Sequence, residues 1–171
     1  MDDRASTAPT TSLTAESPDI SRLPEAFTAA FLAGDRTADT KQIERLAVDT
    51  VGRMYERLSA GDMDGFLAQF AEDVVFEVHA PEAFGFRSRA KGRGELRDLV
   101  THNFGKVAAQ TPTVHSLVAQ GETVVLVMRE AGVVRRTNHR YSAVLSQLFT
   151  FRGPLISEFI EVVALDSEAQ Q

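Results

Sequence analysis

The stretch Ser59-Ala60-Gly61-Asp62-Met63-Asp64-Gly65-Phe66-Leu67-Ala68-Gln69-Phe70-Ala71-Glu72-Asp73 sets four carboxylates within fifteen residues. Read locally, it is a junction. Gly61 stops one helix, and Asp62 is placed to cap the next by accepting the free backbone N–H groups of "MDGFLAQFA", in which Phe66, Leu67 and Phe70 form the apolar stripe. Asp73 opens the strand "DVVFEVHAP", which ends at Pro81. The acidic cluster reads as scaffold, and acid/base chemistry must be sought elsewhere.

Upstream, Asp39 or Thr40 caps a long helix in which Ile43, Leu46, Ala47, Val51, Met54 and Leu58 recur on one face. Residues 1–22 are rich in Ser, Thr, Ala, Pro and Asp, a composition that cannot offset the entropy of ordering, so a disordered tail is expected there. Residues 23–38 are read as an extra amphipathic helix, with Leu23, Phe27, Ala30 and Phe31 at helical spacing and Gly34 as its stop. A main domain over 39–166 and a short C-terminal tail over 167–171 complete the organisation.

Downstream, "GRGELRDLVTHNFGKV" reads as a helix beginning after Gly94. Four β-rich runs follow: "TVHSLVAQ", "ETVVLVMREAGVV", "HRYSAVLSQLFTF" and "LISEFIEVVAL". Helices first and a mostly antiparallel sheet second is an α+β pattern.

Bulk properties narrow the function. A chain of 171 residues, 43% hydrophobic, buries one substantial core. Its formal charge of −6 opposes attraction to phosphate backbones, so nucleic acid is not an expected partner. With no cysteine, thiolate nucleophiles and Cys-based zinc sites are excluded. No signal-like segment and no apolar run long enough to span a bilayer is present, which suggests a cytoplasmic protein without a membrane partner. The histidines show no metal-ligand spacing and there is no P-loop or dinucleotide glycine pattern, so neither metal nor cofactor is expected. The basic run from Arg87 to Arg97 reads as a solvated loop, or as a rim feature that could attract an anionic substrate group.

The order of a helix ending in "AGDMDGFLAQFAEDVVFE", a strand, a "GRGELR" helix start and long strands resembles the SnoaL-like branch of the NTF2-like, ketosteroid-isomerase-like superfamily over roughly residues 41 to 165. The resemblance implies a cone: a curved, mostly antiparallel sheet wrapped around N-terminal helices, enclosing an apolar pocket, commonly as a homodimer. It also implies which functional positions to inspect. The steroid isomerases' oxyanion-donor tyrosine falls on Met54, with Tyr55 next door on a different helix face. Their proton-shuttling aspartate falls on Val78 and their protonated aspartate on Gln147, so steroid isomerisation is not the expected chemistry. In the epoxide-hydrolase-like relatives two acids are bridged by an arginine; here the acids fall on Glu130 and Glu161 and the arginine on Met128. Phenazine-pathway relatives carry a glutamate at the position of Glu161, where it is proposed as acid/base.

Strand parity places Glu161 with Phe159, Val163 and Leu155, and Glu130 with Val124, Leu126 and Met128, but apolar residues on both faces leave the inward face open. Tyr141 shares a face with Ala143, Leu145, Gln147 and Phe149. His79 ends the first strand, on the opposite parity from Val78. Glu161, Glu130, Tyr141 and His79 are therefore the candidate catalytic residues, and Met54, Phe66, Val78, Met128, Gln147 and Phe149 the candidate pocket lining. The expected function is cofactor-independent acid/base catalysis on a small, mostly apolar substrate, by a cyclase, isomerase, dehydratase or epoxide-hydrolase type of enzyme. The alternative is a non-catalytic ligand-binding or dimerisation module of the same fold.

Overall fold

A computed structural model describes residues 38–166. The expected tail over 1–22, nearly all of the extra helix over 23–38 and the C-terminal tail over 167–171 lie outside the described residues. Helix α1 (Ala38–Ser59) leads into a short α2 (Met63–Leu67) and strand β1 (Phe70–His79); β2 (Arg89–Lys91) and α3 (Gly92–Phe104) follow. Four long strands complete the fold: β3 (Val107–Gln120), β4 (Thr123–Val134), β5 (His139–Arg152) and β6 (Leu155–Leu165). They form one curved, unclosed sheet in the order β2-β1-β6-β5-β4-β3. Among the described strands, β1 and β6 run parallel and the other pairs are antiparallel.

The opening junction folds as its residues dictate. Gly61 takes φ +71°, which suits a residue without a Cβ. Asp62 Oδ1 accepts the N–H of Gly65 at 2.9 Å, and Arg57 holds the other carboxylate oxygen at 3.1 Å. A Cβ on Gly65 would fall 2.2 Å from Asp62 Oδ2, so the cap needs a glycine there. Helix α2 is shorter than the sequence suggests: Phe70 already belongs to β1, because its neighbours are drawn into the sheet. Helix α3 starts at Gly92, earlier than the expected start after Gly94, with Lys91 N–H donating to the Glu95 carboxylate at 2.9 Å.

The core lies between the helices and the inner face of the sheet. Ala47, Thr50, Val51 and Met54 are the buried side of α1. Ile43 and Leu46, expected on that side, are exposed. From the sheet, Phe76 stacks on Phe159 with centroids 4.1 Å apart, and Phe149 meets Phe159 edge-on at 5.0 Å. Burying a ring such as Phe149 contributes about 1.5–3 kcal/mol.

Candidate functional site

Register decides which parity faces inward. β5 pairs with β6 so that Gln147 stands opposite Glu161, and β1 pairs with β6 so that Val78 stands opposite the same residue. A register shift between Thr150 and Phe151 buries Ile156 as well as Phe159 and Val163, which explains why simple alternation along β6 could not choose a face. On β4 the inward set is Val124, Leu126 and Met128, with Glu130 continuing it.

These residues border a cavity of about 270 Å³. Its walls are largely aromatic and aliphatic, with Phe66, Phe76, Phe84, Phe86 and Phe159 among them. Glu161, Glu130, Tyr141 and Gln147 all line it, as do Met54, Val78 and Met128. Two of the residues singled out in the sequence lie elsewhere. Phe149 is fully buried in the core and does not border the cavity, because it is packed against the Phe159 ring. His79 points away, its side chain 61% exposed and its Nε2 3.6 Å from Glu77, as expected for the parity opposite Val78.

Two hydrogen-bonded groups organise the cavity. In the first, Tyr55 Oη donates to Gln147 Oε1 at 2.5 Å, and Gln147 Nε2 donates to Glu161 Oε2 at 2.5 Å. In the second, Glu130 Oε1 accepts from Tyr141 Oη at 2.6 Å and from Gln110 Nε2 at 3.1 Å. Tyr141 reaches this position by lying over Gly132, where an added Cβ would come within 2.7 Å of its hydroxyl. Its ring also meets Phe84 edge-on at 5.0 Å.

Tyr55 corrects the expectation that it lies on a different helix face from the pocket. Adjacent helical residues are about 100° apart, and the curved sheet embraces a wide arc of α1, so Met54 and Tyr55 both border the cavity. Gln110 escapes a reading of the sequence because Pro112 argues against a strand there. The segment is tolerated as β3 because β3 is an edge strand, and a register shift between Ala108 and Thr111, with Ala109 at φ +50°, accompanies the turn of Gln110 inward.

Electrostatics follow from this enclosure. Burial pushes the Glu161 carboxyl up to about 7; the Gln147 hydrogen bond opposes that rise, and the nearby Glu130 adds to it. Both phenols are raised above their ordinary value: Tyr55 by burial and then by Glu161, Tyr141 by burial and then by its bond to Glu130. The basic run does not reach the site. Arg93 donates to the Phe70 carbonyl at 2.8 Å, Arg97 pairs with Asp64, and Arg89 pairs with Glu77 at 3.2 Å.

Comparison with known proteins fits this geometry. The model of the SnoaL-like domain matches residues 51–159. The chain belongs to the SnoaL-like family. No curated protein matches it significantly. Among solved structures, an NTF2-like protein from Burkholderia xenovorans LB400 shares 22% identity at a TM-score of 0.60, covering 74% of this chain and 93% of that one. An LEH-like epoxide hydrolase of M. tuberculosis shares 21% at 0.55, covering 74% and 86%. A protein of Jannaschia Sp. CCS1 assigned to the SnoaL-like polyketide cyclases shares 17% at 0.60, covering 75% and 90%. At such identities the likeness speaks for the fold alone. No described helix of this SnoaL-like protein is long and apolar enough to cross a membrane.

Proposed function

We propose that this SnoaL-like protein is a cofactor-independent enzyme that performs general acid/base chemistry on a small, mostly apolar molecule. The observation that carries the reading is Glu161, a carboxyl held by Gln147 in an apolar cavity and poised near neutrality. A group titrating close to the operating pH can both take and return a proton, which suits isomerisation, cyclisation, dehydration or epoxide opening. Glu130 supplies the second carboxyl, fixed by Tyr141 and Gln110. The cyclase and epoxide hydrolase among the structural neighbours support this range of reactions. Met128 at the position of the hydrolases' bridging arginine favours one acting carboxyl over a bridged pair.

Exposed valines on the outer face of the sheet, Val118, Val125 and Val162, support a homodimer of this chain. The expected setting remains the cytoplasm.

The acid/base reading is tested by titrating Glu161 by carboxyl ¹³C NMR and by assaying wild type and Glu161→Gln on terpene epoxides and cyclisable polyketide esters. The expected results are a midpoint near 7 and a loss of about 10²-fold or more in kcat with little change in ligand binding. A midpoint in the ordinary carboxyl range, or unchanged kcat, would overturn it; retained binding without turnover in wild type would favour the non-catalytic module.

A further inference from the structure

The polar atoms of the cavity differ in what they still have to offer. Tyr55 and Tyr141 each have one hydroxyl proton, and both give it to protein acceptors. Gln110 and Gln147 each commit one amide proton to a carboxylate oxygen. Asn103 is tied to Arg87, whose N–H it accepts at 2.8 Å and to whose carbonyl it gives one of its two amide protons at 3.0 Å. The donors that remain are the exposed Ser59 hydroxyl, the second protons of the Gln110, Gln147 and Asn103 amides, and the Glu161 carboxyl while it is protonated. By contrast, Glu130 Oε2 and Glu161 Oε1 have no hydrogen-bond donor among the described residues.

The charges are as uneven. Two carboxyls border the cavity, and none of the described residues lining it is Lys, Arg or His. An anionic group entering this space would meet the two carboxyls without a cationic side chain among the described lining residues to offset their repulsion. A cation would meet two carboxylate oxygens and the faces of phenylalanine rings, both of which attract it more strongly once water is excluded.

We infer that the cavity binds a small primary or secondary amine in its protonated form, its apolar body against Phe76, Phe86 and Phe159 and its ammonium between Glu130 and Glu161. The inference takes from the proposed function only that the cavity is the ligand site; it does not require turnover. It does carry a proton consequence. Glu161 is faced by Tyr55 from α1, by Glu130 from β4, and by Tyr141 and Gln147 from β5. None of these brings a positive charge, so an arriving ammonium would be the first to hold Glu161 ionised, and binding near neutrality should release a proton.

Three probes with one apolar body separate the possibilities: 3-phenylpropylamine, 3-phenylpropanol and 3-phenylpropanoate, measured calorimetrically at neutral pH in two buffers of different ionisation enthalpy. The amine is expected to bind at least about tenfold more tightly than the alcohol, with the carboxylate weakest. Proton release should accompany the amine alone and vanish in Glu161→Gln, while Glu130→Gln should weaken the amine by a larger factor than the alcohol. Equal or tighter binding of the alcohol, preference for the carboxylate, or amine binding insensitive to both substitutions would overturn the inference. A Glu161 titrating in the ordinary range while the amine still binds best would remove the acid/base reading and the proton release together and leave the amine site itself standing, so the two failures can be told apart.

Discussion

Gln147 and Glu161 stand directly opposite each other on β5 and β6, with the amide of the one 2.5 Å from the carboxyl of the other. Because the same amide also accepts from Tyr55, its orientation is fixed from both sides, and the donor end is the one that faces Glu161.

Replacing Gln147 by Leu removes that donor. The Gln147 bond is what opposes the burial-driven rise of Glu161, so its loss should move the Glu161 midpoint above about 7. Tyr55 loses its acceptor at the same time, and leaving buried polar groups without partners should cost about 1–3 kcal/mol of stability. Carboxyl NMR titration and denaturant unfolding of the variant check both effects; an unmoved midpoint would show that the amide does not tune this carboxyl.

Glu161 should also leave a mark on stability. Its pKa is higher in the folded protein, about 7, than the ordinary 4.5, so between those values the folded state binds more protons than the unfolded one. Stability therefore falls as pH rises through that window, and the full penalty of about 3 kcal/mol is present above it and absent below it. Wild type and Glu161→Gln compared by urea unfolding across the window should converge at its acid end and diverge in favour of the variant at its alkaline end. Parallel curves would place the titration elsewhere.

Gly132 gives Tyr141 its place. A valine there would put methyl groups where the phenol lies, so the ring must move and release Glu130. Gly132→Val should destabilise the fold by about 1–3 kcal/mol. Tyr141→Phe, which keeps the ring and loses only the hydroxyl, separates the two contributions: it should retain most of the stability while altering activity or ligand affinity.

The proposed dimer is checked on the outer sheet face. Val125 and Val162 are 38% and 47% exposed in the single chain, so an aspartate at each should leave the folded domain intact and abolish self-association. Light scattering with size exclusion should show wild type at twice the chain mass and the double variant at the monomer mass. A wild-type monomer, or a double variant that remains dimeric, would exclude this face.

Much of the fold is legible in the chain because its determinants are local. Helices before strands, the Asp62 cap and the Gly61 stop rest on spacing and turn chemistry within a few residues, and "AGDMDGFLAQFAED" contains them all. Alternation along β4 likewise groups Glu130 with Leu126 and Met128 on strand parity alone. The resemblance added Glu161, Glu130, Val78 and Gln147 as positions sharing one region.

What the sequence by itself determined is thus the order of elements and a set of residues able to share a strand face. Which face turns inward was decided by the tertiary structure, since β6 is apolar on both sides and only its pairing between β1 and β5 directs Glu161 to the cavity. The reach of Tyr55 depends on how far the sheet curves around α1, and the entry of Gln110 depends on a register shift in an edge strand. Those are consequences of strands far apart in sequence closing on one another, and no local propensity encodes them.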